Sequence, residues 1–357
     1  MYKKAKPPRL TVKVGDYVFA SPDMLSRPIG NGKLWSKGII LQHNLEVILR
    51  HHNKRHAYRK KPVSYATMAK RAYEIKSAGW TLMRQGQNEH CPYSYPAKRI
   101  VIPTNMRRAH VLKLTRTWEA DPSLSAATVM NKLSTLRTFF GWIGKSDLIN
   151  SIKPDELFSN PELIKRTLIA NSDKSWSSVN IDEIIDGIEK EDRHVAMQMR
   201  LSQQFGLRVK EAAMLRPKKD YLPEENTIHV HRGTKNGRQR SVLISTQEQQ
   251  DVLNAAMAIC NARNGSMFPP RYSLKQWMKH YYYIARKHGV TRKDGIVPHG
   301  LRHGFAHKLY LDKTGSTARV VDGGKKEITA LHDQVSRLFI SEQLGHSRKS
   351  IASAYGV

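Results

Sequence analysis

Thr227-Ile228-His229-Val230-His231-Arg232-Gly233-Thr234-Lys235-Asn236-Gly237-Arg238-Gln239-Arg240-Ser241-Val242-Leu243-Ile244 reads as a β-hairpin set in an otherwise helical stretch of chain. Two runs rich in β-branched residues flank a turn containing Asn236-Gly237, the strongest short-range hairpin signal a sequence offers. Upstream, helices are expected from Ile181, over Arg193–Phe205, and over Val209–Leu215, with Gly206 as punctuation and Pro217 as a stop. Downstream of Thr246 the pattern is again mostly helical. A chain of helices with one small sheet is expected: mostly α, with a mixed α/β domain around the hairpin.

Further toward the N-terminus the pattern is helical without strands. Leu45, Ile48 and Leu49 share one face from Asn44 on, and Met68, Ala72, Ile75 and Leu82 form a second stripe. Helices follow at about Asn105–Trp118 and Ser125–Trp142, the second capped by Ser125 and burying Val129, Leu133, Leu136 and Phe140. Gln85–Pro103, with Gly86, Pro92 and Pro96, reads as a loop. A linker with Pro154 and Pro161 occupies residues 151–178, with a short helix at Pro161–Ala170. Residues 1–38 read as a basic arm with a short strand at Leu10–Phe19. The expected organisation is an arm (1–38), a helical domain (39–150), the linker (151–178) and a second domain (179–357).

The 357 residues carry 60 Lys and Arg against 30 Asp and Glu, a net charge of +30. Both halves are basic, so the footprint of a polyanion would run along the whole chain, and nucleic acid is the expected partner because phosphate neutralisation releases counterions. A merely soluble basic surface and a basic RNA binder of the ribosomal kind are the other readings of charge alone. The chain has no apolar run long enough for a membrane span and no secretory leader in Met1–Pro8. Its two cysteines, Cys91 and Cys260, exclude a disulfide framework and a Cys-based zinc site. A reduced, cytoplasmic protein is expected.

Four motifs stand in order in the second half: Gly206-Leu207-Arg208-Val209-Lys210-Glu211, Lys235 in the hairpin turn, His299-Gly300-Leu301-Arg302-His303, and Leu344-Gly345-His346 followed by Tyr355. The chain here resembles the tyrosine recombinases, the family of phage integrases and related site-specific DNA recombinases. That family is marked by an Arg, a Lys, a His-x-x-Arg, a second His or Trp and a nucleophilic Tyr, in this order. The resemblance covers the second domain. It implies a catalytic domain of that type, a helical (SAM-like) core-binding domain before it, and a C-shaped clamp on DNA.

The chemistry is consistent with these residue types. Ester exchange at a phosphodiester needs a protein nucleophile, and forming phenolate from an ordinary tyrosine at pH 7 costs about 4 kcal/mol. Nearby cations and a proton acceptor must supply that. Arg208 and Arg302 suit the non-bridging phosphate oxygens, because a guanidinium fork matches them and keeps its charge. The resemblance makes Lys235 the general acid for the leaving 5′-oxygen. His299 is assigned the phenol proton, His346 a bond to phosphate, Glu211 the orientation of Arg208 or His299, and His303 a buttressing or packing role.

Other readings stand beside these. Lys210, Arg238 and Arg240 compete with Lys235. His299, His303 and His307 lie four apart on one helical face, as metal ligands can, but lack a His-Glu-x-x-His signature and an acidic or Cys ligand, so no metal is expected. His307 reads as core, and Tyr281-Tyr282-Tyr283 as a helix face. There is no ATP-binding loop despite Gly323-Gly324-Lys325-Lys326, no evident two-metal carboxylate set, and nothing like a serine recombinase. Two features depart from the family: an apparent insertion around Asp312–Ile328, expected to form a flap against DNA or a neighbouring subunit, and an end at Val357, two residues after Tyr355.

The resemblance implies a cofactor-free recombinase acting through a 3′-phosphotyrosyl intermediate, as a homotetramer on synapsed double-stranded sites, with accessory bending or directionality factors. The implied role is integration or excision of a mobile element or prophage. A chromosome-dimer resolvase, a topoisomerase-like enzyme of the same chemistry and a non-catalytic architectural DNA binder are the alternatives.

Overall fold

Serine hydroxyls set two of the helix starts in the N-terminal part of the chain. Ser36 Oγ accepts the Ile39 N–H at 3.3 Å and Ser125 Oγ accepts that of Thr128 at 3.3 Å, which satisfies donors that a helix otherwise leaves open. The computed structural model describes residues 11–25, 36–56, 62–85, 102–165, 169–323, 328–346 and 349–357. The chain folds as two compact units, Met1–Arg166 and Thr167–Val357. The expectations for Met1–Pro8, Leu10, Cys91, most of Gln85–Pro103 and Gly324–Lys326 lie outside the described residues.

The first unit opens with an antiparallel hairpin, β1 (Thr11–Val14) and β2 (Tyr17–Ala20). Phe19 of β2 is fully buried, and Asn44 pins the end of the strand by accepting the Ala20 N–H at 2.7 Å and donating to its carbonyl at 3.0 Å. Part of the expected arm is therefore a packed piece of the domain. Four main helices follow: α1 (Lys37–His52), α2 (Tyr65–Gln85), α3 (Arg108–Glu119) and α4 (Ala126–Trp142). Helix α1 begins seven residues before the periodicity at Asn44 suggested. The expected apolar stripes, Met68 apart, form one core with Val111, Leu114, Trp118 and Phe139. Short helices α5 (Asp147–Asn150) and α6 (Pro154–Leu157) bring Ile152, Leu157 and Phe158 into that same core, so this part of the expected linker is packed. The helix expected at Pro161–Ala170 is instead a 3₁₀ turn at Pro161–Ile164.

The second unit contains α7 (Ile181–Glu189), α8 (Arg193–Phe205), α9 (Val209–Met214) and α10 (Pro217–Asp220), then a three-stranded antiparallel sheet. Its strands are β3 (Tyr221–Leu222), β4 (Thr227–Val230) and β5 (Arg240–Leu243), with Val230 opposite Arg240 at the hairpin end. Strand β3, only two residues long, carries no sequence pattern. Helices α11 (Gln247–Ile259), α12 (Leu274–Lys287), α13 (Pro298–Thr314), α14 (Arg319–Asp322) and α15 (Ala330–Gln343) complete it, and a 3₁₀ turn at Lys349–Tyr355 ends it. Helix α8 is buried along most of its length, packed by α7, α9, α11 and α13. The described part of the expected flap is α14 and its flanks. Ala318 is buried in the same core as Tyr355 and Val357, so this part packs on the chain's own C-terminal residues.

Candidate active site

The second unit brings side chains from four separate places to one cluster. Gly206-Leu207 turns the chain out of α8 and delivers Arg208 to the start of α9. Glu211, one turn on, accepts the Arg208 backbone N–H at 2.9 Å and its Nη1 at 2.5 Å. The β4–β5 hairpin is seated against this corner. Gly233 has φ +72°, and a Cβ there would stand 2.6 Å from the Lys210 carbonyl oxygen, so only glycine allows the approach.

Helix α13 supplies Arg302, which is fully buried. Its two Nη atoms donate to the carbonyls of Gly206 and Leu344, and its Nε donates to the Tyr355 phenol oxygen at 2.9 Å. His346 Nε2 lies 3.4 Å from Arg302 Nη2 and 3.2 Å from Tyr355 Oη. A guanidinium only donates, so His346 Nε2 is the acceptor. The phenol oxygen accepts from Arg302 and directs its own proton to His346. Burial lowers Arg302 to about 10, with Arg208 and Arg240 opposing its charge and Tyr355 supporting it. It remains a cation at pH 7.

This geometry reverses the expectation for the two imidazoles. The ring that reaches the phenol is that of His346. The ring of His299 lies 6.2 Å from that of Tyr355, centroid to centroid, on the first turn of α13, where Pro298, Gly300 and Leu301 are buried around it. It borders a 730 Å³ cavity also lined by Arg208, Lys210, Arg286 and Arg292. His303 is buried and packs against Tyr355 at 4.8 Å. His307, read as core, is half-buried, with its Nε2 2.7 Å from the Tyr355 carbonyl oxygen. Among the described residues, no group of three or more His, Cys, Asp or Glu is arranged to hold a metal.

Lys235 is exposed in the 3₁₀ turn Lys235–Gly237 at the hairpin tip. No hydrogen bond joins it to the cluster among the described residues, but its charge acts on His346. Arg240, weighed as a rival proton donor, is 7% exposed and committed elsewhere. Its Nε donates to the Gln343 carbonyl at 2.8 Å and its Nη2 to Glu211 Oε2 at 2.8 Å. The signal for this was present in β5. At a period of two, Arg240 shares the inward face with Val242. Glu211 is fully buried among Arg208, Arg240 and Arg302, the last at 3.8 Å. Burial alone would raise its carboxyl, but the Arg240 hydrogen bond and the charges of Arg240 and Arg208 outweigh burial and hold it at about 2. Glu211 is therefore the permanent counter-ion of a three-arginine cluster, a wider role than orienting one side chain.

The imidazoles are kept neutral. Desolvation first, then the charges of Arg302 and Arg208, lower both His299 and His346 to about 4. Desolvation, with His299 and His307, takes His303 to about 3. In the unfolded chain these rings titrate near 6.5. Below that value the unfolded state binds more protons than the folded one, so stability rises with pH. Their contribution is full above pH 6.5 and is lost as pH falls toward 4. The Tm should therefore drop steadily between pH 6.5 and 4, and drop less in His303→Leu, which removes one titrating ring. An identical slope in the variant would exclude His303 from the effect.

Residues 164–308 match the Integrase family. That span holds Arg208, Glu211, Lys235, His299 and Arg302, and the fold adds His346 and Tyr355 to them. A lambda integrase tetramer bound to a Holliday junction is similar in structure, with TM-score 0.54 and 14% identity over 89% of this chain and 77% of that one. A lambda integrase dimer bound to a COC′ core site gives 0.52 and 13% over 100% and 97%. The Tn1549 transposon integrase in complex with a circular intermediate DNA gives 0.50 and 13% over 89% and 95%. At these identities the structural likeness is one of fold. No curated protein matches the chain in sequence. Family match and fold together define an enzyme that cuts and rejoins DNA strands. Residues 164–308 form an integrase-type domain, the domain type that carries the tyrosine recombinase chemistry.

Proposed function

We propose that the chain is a site-specific recombinase of a mobile element or prophage, with Tyr355 as its nucleophile. The observation that carries this reading is the hydrogen-bond chain Arg302 Nε to Tyr355 Oη to His346 Nε2, at 2.9 and 3.2 Å. Tyr355 Oη attacks the scissile phosphorus, its proton passes to His346, and the bond from phosphorus to the 5′-oxygen breaks. The DNA 3′ end is left as a phosphotyrosine, and the 5′-oxygen takes a proton from Lys235. A 5′-hydroxyl of the partner duplex then reverses the step, so one ester replaces another. Arg208 and Arg302 bear the charge that develops on the non-bridging oxygens, and His299 hydrogen-bonds the phosphate from the mouth of the site.

The net charge of +30 supports double-stranded DNA as the partner. The lambda integrase structure bound to a Holliday junction is a tetramer, and we extend that assembly, with accessory bending or directionality factors, to this chain. Among the described residues no helix is long and apolar enough to cross a membrane, and a DNA-associated cytoplasmic location belongs to the same reading.

A duplex nicked beside its cleavage position loses a short 5′-hydroxyl fragment and cannot religate. With EDTA present, the protein should accumulate as a covalent adduct whose phosphopeptide contains Tyr355. Specific binding with no adduct under any such condition would leave only an architectural role. Lys235→Ala should slow adduct formation by about 100-fold or more and recover when the leaving 5′-oxygen is replaced by sulfur, which departs without a proton. An equal deficit on both substrates would remove Lys235 as the acid.

A further inference from the structure

The C-terminal residues around Tyr355 are held from three directions. From α13, His307 Nε2 meets the Tyr355 carbonyl oxygen at 2.7 Å. From α15, Arg337 Nη1 donates to Ser353 Oγ at 3.3 Å. The third hold comes from the insertion after α13. The Val320 N–H of α14 donates to the Gly356 carbonyl at 3.3 Å, and the Val320 side chain covers the Gly356 α-carbon. A Cβ on Gly356 would lie 2.3 and 2.5 Å from the two Val320 γ-carbons, and Gly356 itself has φ +81°. Nothing larger than glycine fits beneath this valine, in a backbone region that disfavours other residues.

The contact is tied to the body of the unit. Ala318, Tyr355 and Val357 are 1%, 5% and 2% exposed and share one core with Phe305 and Ile340. His307 holds the Tyr355 carbonyl, Arg337 holds the Ser353 hydroxyl, and Val320 holds the residue after Tyr355. The Tyr355 α-carbon is thereby fixed from both sides, and with it the reach of the phenol to Arg302 and His346.

We propose that Gly315–Gly323 is an internal strap that sets the attacking position of Tyr355, with Val320 as its positioning residue. This rests on Tyr355 being the nucleophile. The strap acts within the chain that carries the tyrosine. Displacement of a reacting group by about 1 Å can cost 100-fold in rate, and a loosened strap would permit displacement on that scale.

The test compares two readouts on the full chain with the nicked duplex: equilibrium affinity, and the single-turnover rate of adduct formation. Val320→Ala should lower the rate by about 10-fold or more and leave affinity within about twofold, because the strap touches the nucleophile segment. Val320→Ile, which keeps the branched cover, should restore the rate. An unchanged rate in Val320→Ala would overturn the proposal. So would a parallel fall of rate, affinity and Tm, which would mark Val320 as an ordinary core residue. An adduct that persists in Tyr355→Phe would refute the nucleophile assignment, an outcome separate from a Val320→Ala enzyme that cleaves normally.

Discussion

Replacing Tyr355 with Phe is expected to abolish the covalent protein–DNA adduct while leaving duplex affinity within a few-fold of wild type. The ring itself is retained, so its packing on His303 and its place in the buried core survive. What disappears is the oxygen that would attack phosphorus and that ties Arg302 to His346. Arg302 Nε then loses its acceptor in a buried setting, at a stability cost on the order of 1–3 kcal/mol. That is small beside the complete loss of the reaction. The measurement is adduct yield on the nicked duplex, with affinity determined in parallel. Should an adduct persist, the nucleophile lies elsewhere. Tyr281 is fully buried, whereas Tyr282 and Tyr283 on α12 are exposed and would be the residues to map next.

The second large effect is expected from Arg302→Lys. The cation is conserved, but an ammonium on a flexible stem cannot reproduce three fixed directions of donation. In the folded protein those directions lead to the Gly206 carbonyl, the Leu344 carbonyl and the Tyr355 phenol. They join the corner before α9, the end of α15 and the C-terminal turn around one buried group. Losing the fork should slow adduct formation by about 100- to 1,000-fold, the usual consequence of removing one preorganised donor. Duplex affinity should change little, because Arg302 is fully buried and most of the binding charge lies elsewhere. Single-turnover cleavage against equilibrium binding separates the two. An equal loss of both would reduce Arg302 to a structural or electrostatic support. Arg302→Ala is the harsher variant. It leaves Glu211 with one fewer counter-ion and two carbonyls without donors, and breaking a buried ionic cluster in this way typically costs about 3–5 kcal/mol.

Much of the fold could be read locally. The Ser125 cap, the stripes of α2 and α4, the punctuation at Gly206 and the β4–β5 hairpin are all features of a few adjacent residues, and each formed where its neighbours dictated. Features without local periodicity escaped. Strand β3 is two residues long and exists only because β4 offers it a partner. The segments read as arm and linker hold Phe19, Ile152, Leu157 and Phe158, which are buried because a core completed by α1 to α4 accepts them. In composition alone they look like connecting chain.

The site divides along the same line. Residue types and their order were determined by the sequence, since Arg208, Lys235, His299, Arg302, His346 and Tyr355 each sit in a recognisable short motif. Which imidazole meets the phenol was decided only in three dimensions. His299 is four residues from His303, whose ring packs on Tyr355, yet His346, brought in by the turn after α15, makes the contact. The same is true of Arg240 as a partner of Glu211, and of Val320 over Gly356. Spacing along a chain specifies what a helix or hairpin presents. Which presented groups come within hydrogen-bond reach of each other depends on how distant elements pack, and in this protein that is fixed by a buried guanidinium joining residues about a hundred positions apart.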